Sequence, residues 1–332
     1  MREFELIERL AERIGEAGVE GGERVVIGVG DDAAVTVPSG ATVTSVDMAV
    51  EGVHFRRETA SLAEVGRKAL ATALSDVAAM GAEAGEAYVA LGIPADLDER
   101  GALALFTGLA EIAKETGTAL AGGDVSAAPV IMLAVTVVGH IESADRVVGR
   151  RGAAPGQVVC VTGELGGAAA GLLLSARPEL RDSVGSERAA ALLRRLNDPR
   201  PRLAAGAALA RSGAAAMIDV SDGLGADAGH LARAGDAWLE IELERLPVAP
   251  GVAEVASAAG IDPFDLAADG GEDYELLVTL APERLEPATA AVRETGTELT
   301  AIGEVTRGCG VLLRATDGSA RPARGFEHPG TG

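Results

Sequence analysis

The residues of this chain that could do chemistry are mostly aspartates, and they fall in five short motifs. These are Asp31 and Asp32 in GVGDDAAV, Asp47 in TSVDMAVEGVHF, Asp76 in ALSDVAAMGA, Asp124 in AGGDVS, and Asp219 with Asp222 in IDVSDGLGAD. A single aspartate after a strand or among glycines is most often a helix cap or a turn residue. Asp76 differs, because it falls inside a predicted helix, where no cap is needed and Asp has poor propensity. Together the five motifs favour a shared function.

Carboxylates of this kind suit Mg²⁺, which usually binds one or two of them while it also contacts substrate phosphates. Several aspartates from both halves of the chain would hold more than one such ion. Two or more cations would neutralise a polyphosphate and stabilise the charge of an in-line displacement. The motifs therefore predict a phosphoryl-transfer site between two domains. Glycine pairs such as Gly122-Gly123 and Gly270-Gly271 could donate backbone N–H groups to phosphate oxygens.

Signatures of other chemistries are missing from the sequence. There is no GxxxxGK followed by Ser or Thr, and GVGDDA lacks the third glycine of a dinucleotide-binding fingerprint. None of the four histidines has a GxSxG partner, which argues against a Ser-His-Asp hydrolase. Cys160 and Cys309 form no CxxC pair and have no histidine at metal-ligand spacing, so neither a zinc centre nor a redox centre is expected.

Composition limits the partners and the location of the protein. Fifty Asp and Glu against 29 Lys and Arg give a net charge of −21, and such a surface repels nucleic acid and anionic lipid alike. The N-terminal MREFELIERLAERIGEAG resembles an amphipathic helix more than a signal peptide. No apolar stretch approaches the roughly 18 residues of a membrane span. We therefore expect a cytoplasmic protein that binds neither nucleic acid nor a membrane.

Apolar periodicity and turn residues predict the elements that must position the motifs. In the N-terminal half they predict helices at 61–80 and 97–115 and strands at 25–29, 41–46, 88–93, 118–121 and 130–138. Ser61 and Glu64 form a capping box at the start of the first of these helices. In the C-terminal half the patterns predict helices at 203–211, 224–233 and 282–294 and strands at 158–161, 217–220, 238–243, 276–280, 299–305 and 311–313.

Length and the mixture of elements predict two domains. A chain of 332 residues is long enough for two hydrophobic cores. The segment 142–156, with its charged residues and its APG turn, is the best boundary and gives domains at 1–145 and 146–332. Because the regular βα alternation of a doubly wound sheet is missing, we expect two α+β domains. Only 2% of the residues are aromatic, so both cores must consist mainly of Ala, Val, Leu and Ile.

Eight segments, taken in order, resemble those of the thiamine-monophosphate kinase family, which lies in the aminoimidazole ribonucleotide synthetase-like superfamily. They are GVGDDAAV, TSVDMAVEGVHFR, ALSDVAAMGA, AGGD, GRRGAAPGQVVCVTG, IDVSDGL, GGEDYELL and GFEH, and they span nearly the whole chain. EGVHF and GGEDYEL favour this family over its relatives in the superfamily. The resemblance implies two α+β domains of the superfamily type and a homodimer that pairs strands of the N-terminal domains. It also implies ATP-dependent conversion of thiamine monophosphate to thiamine diphosphate with several Mg²⁺ ions.

The resemblance further implies roles for individual residues. Positions that match the family's metal ligands are Asp32, Ser45, Asp47, Asp76, Asp124, Asp219 and Asp222. Positions that match its ATP contacts are Gly123, Asp124, Arg150 and Ser221, and those that match its contacts to thiamine monophosphate are His54, Glu272 and Phe326. Relatives often have Thr before the aspartate of the second motif. This chain has Val46 there, so any contact at that position must use the backbone carbonyl.

These assignments imply direct in-line attack by a phosphate oxygen of thiamine monophosphate on the γ-phosphorus of ATP. A phosphate monoester has a second pKa of about 6, so this oxygen is already anionic and needs no strong general base. No side chain is expected to act as a covalent nucleophile. Two alternatives remain open. One is another ATP-dependent enzyme of the superfamily, and the other is a protein that binds cations or nucleotide without turnover.

Overall fold

The computed structural model describes residues 3–21, 24–31, 33–315 and 317–323. The chain divides into two compact units. The first takes the residues up to Val77 together with Ala82–Arg146, and the second takes Ala78–Gly81 together with the residues from Val147 onward. Each unit combines helices with a mixed sheet, which confirms the α+β class predicted from the sequence.

The first unit packs helices against a small sheet. Its elements are α1 (Glu3–Ala17), β1 (Val25–Ile27), β2 (Val35–Thr36), β3 (Ala41–Val50), α2 (Leu62–Ala79), β4 (Glu83–Ile93), α3 (Glu99–Thr116), β5 (Ala119–Ala127) and β6 (Met132–Ile141). Among the described residues, four strands form the main sheet in the order β3-β6-β4-β5. Strands β4 and β5 are parallel and the other neighbours are antiparallel, while β1 and β2 form a separate antiparallel pair.

Helices α2 and α3 begin where the sequence supplies a cap. Ser61 N–H donates to Glu64 Oε2 at 2.7 Å, and Glu64 N–H donates to Ser61 Oγ at 3.2 Å. This reciprocal pair confirms the predicted capping box. Asp98 caps α3 by accepting a hydrogen bond from Gly101 N–H at 2.8 Å. Both caps use side-chain oxygens to satisfy N–H groups that have no partner within the helix.

Glycines allow α2 and α3 to pack with their backbones in contact. A Cβ atom at Gly66 would lie 1.9 Å from Leu105 O, and one at Gly108 would lie 1.9 Å from Ala63 O. Any larger residue at either position would have to push the helices apart. The contact therefore fixes the position of α2, the helix that carries Asp76.

The second unit is built around a larger sheet. Its elements are β7 (Val158–Thr162), α4 (Gly167–Ala176), α5 (Arg181–Val184), α6 (Ser186–Asn197), α7 (Leu203–Arg211), β8 (Ala216–Asp219), α8 (Leu224–Gly235), β9 (Ala237–Glu242), α9 (Val252–Ala259), α10 (Pro263–Asp269), β10 (Leu276–Leu280), α11 (Leu285–Arg293), β11 (Leu299–Arg307), β12 (Gly310–Arg314) and β13 (Ala320–Pro322). Within the described ranges the strand order is β13-β12-β9-β11-β7-β10-β8, and only β12 and β9 pair in parallel.

Alternating side chains give this larger sheet two apolar faces. Val159 and Val161 of β7 pack in one core with Leu231 of α8, whereas Cys160 between them packs in the other core with Leu209 of α7. Burial raises the pKa of the Cys160 thiol to about 12. The residues buried in both cores are mainly Ala, Val, Leu and Ile, as the low aromatic content predicts. Of the described helices, none has the length and apolar character needed to cross a membrane.

Trp238 on β9 lies against the turn that joins β11 to β12. A Cβ atom at Gly308 or Gly310 would stand 3.2 Å from the indole ring, so the ring rests directly on the backbone of this turn. Cys309, between the two glycines, is exposed. Trp238 is the single tryptophan of the chain.

Candidate active site

Ser45 and Asp47 lie inside strand β3. The sequence predicts a strand at 41–46 that stops before Asp47, but β3 continues to Val50 because it pairs with β6 along its whole length. Exposure alternates along β3, so Ser45 and Asp47 share one partly buried face. The side chain of Val46 points to the opposite face and is 64% exposed, which leaves only its backbone to act beside its two neighbours.

Helix α2 brings Asp76 to Ser45. Ser45 Oγ donates to Asp76 Oδ2 at 2.5 Å, across 31 positions of sequence. Asp47 Oδ1 accepts a hydrogen bond from Met48 N–H at 2.8 Å. Asp76 lies within the helix, as predicted, and not at its start. One strand face and one helix thus present hydroxyl and carboxylate oxygens from two of the five motifs.

Asp124 and Gly123 lie on the opposite edge of the same sheet. The sequence predicts a strand at 118–121 that ends before GGD at 122–124, but β5 extends to Ala127 because it pairs in parallel with β4 beyond the glycines. Register places Gly123 in the same row of the sheet as Asp47. Strands β6 and β4 lie between β3 and β5, so β3 and β5 are separated by three inter-strand spacings of about 4.8 Å each. Within this unit the structure therefore does not bring Asp124 close to Asp47.

The first acidic motif is described only in part. Asp31 is exposed, and Asp32, a predicted metal ligand, lies outside the described residues. Phe326, predicted to contact the substrate, also lies outside them. In the part of the chain that the structure describes, no three His, Cys, Asp or Glu side chains are grouped closely enough to hold a metal ion.

His54 lies in the tight turn that follows β3. Its ring Nδ1 accepts a hydrogen bond from Val50 N–H at 3.0 Å, and the backbone N–H of His54 donates to Val50 O at 2.9 Å. A neutral imidazole that accepts at Nδ1 carries its proton on Nε2, so the turn fixes His54 as a donor at Nε2. Glu51 anchors the turn, because its Oε2 accepts from Ile131 N–H at 3.1 Å and its Oε1 accepts from Arg57 Nε at 2.5 Å.

In the second unit, the SDG motif forms the connection between β8 and α8. Asp219 is the last residue of β8, and Ser221 and Asp222 follow it in the connecting loop. Asp227, in the first turn of α8, accepts hydrogen bonds at Oδ2 from Ser221 N–H at 2.9 Å and from Asp222 N–H at 3.0 Å. The buried Asp227 carboxylate therefore holds the motif loop by its backbone.

A second loop, residues 270–274, runs beside the SDG motif. Glu272 N–H donates to Ser221 O at 2.7 Å, and Tyr274 N–H donates to Val220 O at 2.8 Å. These backbone bonds bring Glu272, a predicted substrate contact, next to Ser221, a predicted ATP contact. Glu272 and Tyr274 have positive φ angles of 70° and 50°. Such angles are uncommon for residues other than glycine.

Two further carboxylates support this loop. Asp273 Oδ2 accepts from Gly166 N–H at 2.7 Å and its Oδ1 accepts from Ala168 N–H at 3.2 Å, at the start of α4. Glu275 is 2% exposed and receives a two-pronged hydrogen bond from the Arg202 guanidinium, with N–O distances of 2.7 and 2.5 Å. Thr162 Oγ1 also donates to Glu275, at 2.8 Å. Asp273 thus ties the loop to α4, and a partly buried ion pair at Glu275 follows the loop directly.

Arg150 is exposed and lies near helix α8. Burial, followed by the positive charges of Arg233 and Arg150, lowers the pKa of His230, while the negative charge of Asp222 raises it. Arg233 Nη2 and His230 Nδ1 are 3.1 Å apart. A predicted ATP contact, Arg150, and a predicted metal ligand, Asp222, thus act electrostatically on the same imidazole.

Three acidic residues that hold the loops of the second unit were not predicted from the sequence to do so. They are Asp227, Asp273 and Glu275. Asp227 stands at the end of the quoted IDVSDGLGAD segment, and its place in the first turn of a helix was a signal for backbone capping. Nothing in the sequence pairs Asp273 with Gly166, which lies 107 positions away.

The donors in both units fit a hard divalent cation. Ser45, Asp47 and Asp76 supply only oxygen atoms, the ligand type that Mg²⁺ prefers. In the second unit, burial and the negative charges of Asp219 and Asp222 raise the pKa of Asp227 to about 7. The charges of Asp219 and Asp222 thus add to the effect of burial on Asp227, and a cation bound by these two residues would offset them.

Comparisons with known proteins find matches to both units of the chain. The family model of the AIR synthase related protein, N-terminal domain, matches residues 30–141, and that of the C-terminal domain matches residues 154–314. The thiamine-monophosphate kinase of Mycobacterium tuberculosis is 39% identical over 277 residues, which cover 83% of this chain and 79% of that protein. The crystal structure of thiamine-monophosphate kinase from Stenotrophomonas maltophilia K279a matches with a TM-score of 0.84 and 33% identity, over 94% of this chain and 96% of that one. The structure of AaThiL complexed with AMPPCP and TMP matches with a TM-score of 0.77 and 32% identity, over 99% of both chains.

Proposed function

The chain belongs to the thiamine-monophosphate kinase family, and from that membership we propose that it phosphorylates thiamine monophosphate to thiamine diphosphate by direct, Mg²⁺-assisted transfer from ATP. The observation that carries the proposal is the match, over 99% of both chains, to a structure that holds AMPPCP and TMP together. Residues 1–145 would supply metal, ATP and dimer contacts. Residues 146–332 would supply the remaining contacts to metal, ATP and substrate.

Six carboxylates and one hydroxyl group of the acidic motifs are the proposed ligands of several Mg²⁺ ions. The set comprises Asp32, Ser45, Asp47, Asp76, Asp124, Asp219 and Asp222. When bound, Mg²⁺ neutralises the charge of the two phosphate groups that must approach each other. The contact between Ser45 and Asp76 supports this assignment, because it places oxygen donors from two separate motifs side by side.

Other residues would hold the two substrates. Arg150 offers a planar guanidinium that can bind phosphate oxygens of ATP in a two-pronged manner, with Gly123 and Ser221 as further ATP contacts. His54 is fixed as a donor at Nε2, which suits the phosphate of thiamine monophosphate. Glu272, together with Phe326, would hold the same molecule, whose thiazolium ring carries a positive charge that a carboxylate attracts.

The proposed chemistry is a single displacement. A phosphate oxygen of thiamine monophosphate forms a bond to the γ-phosphorus of ATP. The bond from that phosphorus to the β–γ bridging oxygen breaks, and the electron pair leaves with ADP. The attacking oxygen is already anionic near neutral pH, since its second pKa is about 6. The task of this chain's residues is therefore to orient two repelling phosphates, without a general base or a covalent intermediate.

Turnover and stereochemistry test the proposal. ADP release from ATP should depend on thiamine monophosphate, which a protein that merely binds cations or nucleotide would not show. A chiral γ-phosphoryl group should be inverted on transfer, and γ-labelled ATP alone should leave no acid-stable or base-stable label on the protein. Retention of configuration would indicate two displacements, and His54 would then be the first candidate nucleophile.

We also propose that the protein is a cytoplasmic homodimer that associates through its first unit. Val46 and Met48 are 64% and 45% exposed on the same face of β3, and a second copy would cover these apolar side chains. Sedimentation equilibrium should give twice the chain mass. The double variant Val46→Lys, Met48→Lys should sediment as a monomer, whereas Leu172→Lys, at an exposed apolar residue of the second unit, should remain dimeric.

A further inference from the structure

The loop that carries Glu272 adopts a conformation that its own residues do not favour. Glu272 and Tyr274 both have positive φ, at 70° and 50°. A side chain with a Cβ atom rarely adopts this conformation, and such residues keep it only where their surroundings impose it. The two residues flank Asp273. The origin of this constraint therefore has to be sought at Asp273 and at the groups that surround the loop.

Hydrogen bonds fasten the loop on two sides. On one side, the N–H groups of Glu272 and Tyr274 donate to Ser221 O and Val220 O at 2.7 and 2.8 Å. On the other side, the Asp273 carboxylate uses both oxygens to accept the N–H groups of Gly166 and Ala168 at the start of α4. The side chain of Asp273 thus points toward the start of α4.

We infer that Asp273 is a positioning residue for thiamine monophosphate: it contacts no substrate itself but holds Glu272 in its binding conformation by tying the loop to α4. This inference rests on the proposed role of Glu272 in binding thiamine monophosphate. A carboxyl group is required because each of the two N–H donors needs its own acceptor oxygen, and a carboxyl group keeps acceptor capacity on both oxygens. An asparagine offers one acceptor oxygen and would point its NH₂ group at the second donor.

The Asp273→Asn variant of the full chain tests this inference, because its KM for thiamine monophosphate and its KM for ATP should change by different amounts. The KM for thiamine monophosphate should rise about tenfold or more, because the loop loses its alignment, while the KM for ATP stays within about twofold. Asp262→Asn is the matched control. Asp262 also accepts a backbone N–H at a helix start, that of Phe264 at 2.8 Å, but it does so on α10. Both KM values of this control should stay within about twofold of wild type.

A double-mutant cycle separates this inference from the proposed function. Glu272→Ala alone should raise the KM for thiamine monophosphate, and an unchanged value would overturn the role of Glu272. If Asp273 acts through Glu272, then adding Asp273→Asn to Glu272→Ala should change that KM by no more than about twofold. An undiminished effect in the Glu272→Ala background, or no effect of Asp273→Asn alone, would overturn the positioning role of Asp273.

Hydrogen exchange on the wild-type chain gives a second test that needs no variant. We call the two hydrogen bonds from Gly166 and Ala168 to Asp273 the Asp273 clamp. If substrate binding at Glu272 is coupled to this clamp, then thiamine monophosphate must stabilise the clamp by the same coupling free energy. The amides of Gly166 and Ala168 should therefore exchange more slowly when thiamine monophosphate alone is added. Unchanged exchange of both amides at saturating thiamine monophosphate would overturn the inference, even if Asp273→Asn does not fold.

Discussion

The two units hold their predicted site residues in different ways. In the first unit, Ser45 and Asp47 lie within strand β3 and Asp76 within helix α2, so regular backbone hydrogen bonding already fixes them. In the second unit, Ser221 and Glu272 lie in loops, and buried or partly buried carboxylates hold those loops by their backbones. A polar site can thus rest on secondary structure or on a second set of polar residues. The second arrangement adds groups whose removal costs stability as well as activity.

The largest effect is expected where a metal ligand lies on a regular element. Asp47→Ala and Asp76→Ala should each lower turnover by roughly 1,000-fold or more, equivalent to about 4 kcal/mol of lost transition-state stabilisation. The melting temperature should hold or rise, because removing one carboxylate from a chain of net charge −21 relieves repulsion. ADP release and thermal melting on one preparation measure both quantities, with the exposed Asp145→Ala as control. Full activity of either variant would refute the metal assignment.

The second effect is one of stability and belongs to the second unit. Arg202→Met would leave Glu275, which is 2% exposed, without its cationic partner. A buried carboxylate that loses its partner should lower the free energy of unfolding by about 3 kcal/mol, as measured in urea. Arg188→Met is the matched control, since its pair with Glu254 is exposed and should contribute less than about 1 kcal/mol. Equal losses of unfolding free energy in the two variants would mean that the Glu275 pair stabilises the fold no more than an exposed ion pair does.

A smaller effect is expected for an exposed substrate contact. Arg150→Lys keeps the charge but loses the two-pronged donor, so the KM for ATP should rise about tenfold, or about 1.4 kcal/mol. The KM for thiamine monophosphate should change little. Arg151→Lys, at the neighbouring exposed position, should behave as wild type in steady-state kinetics. If Arg151→Lys is the damaging change, the alignment of this segment with the family is off by one residue.

The smallest effect concerns pH and the Asp273 clamp. Burial, opposed by the N–H groups of Gly166 and Ala168, raises the pKa of Asp273 from 3.8 to about 7. The folded chain therefore holds this proton more tightly than the unfolded chain. The resulting stability is full below pH 3.8 and is lost as the pH rises through about 7. Between pH 5 and pH 8, wild type should lose on the order of 1 kcal/mol of unfolding free energy relative to Asp273→Asn. Parallel pH profiles in urea unfolding would contradict this.

Much of the fold follows from local signals in the sequence. The capping box at Ser61 and Glu64, the helix around Asp76 and the aliphatic strand at 158–161 each needed only neighbouring residues, and all three are confirmed. The ends of β3 and β5 were predicted too early. Pairing with β6 and β4 extends both strands past residues that usually end them, and a single sequence does not show which strands will pair.

The candidate site shows the same difference between residues that local motifs predict and residues that depend on long-range contacts. Motif resemblance predicts Asp47, Asp76 and Glu272 as site residues, because the segments that contain them resemble those of the family. It did not identify Asp227 or Asp273, whose partners are backbone N–H groups. Every residue except proline has a backbone N–H group, so residue type does not show which of these groups a carboxylate will contact. Gly166 lies 107 positions from Asp273. The residues that hold the loops therefore become visible only when the chain is folded.

The packing of Trp238 against the turn at Cys309 gives the second unit an optical signal of its own. Since the chain has one tryptophan, emission excited at the red edge of indole absorption comes from that unit alone. A thiol-reactive dye should couple to the exposed Cys309 and spare Cys160, whose burial and high pKa suppress the thiolate. The dye would then sit beside the indole and quench it until the turn opens. Fluorescence would follow unfolding of the second unit, circular dichroism would follow both units, and any lag between the two curves would show that they melt separately.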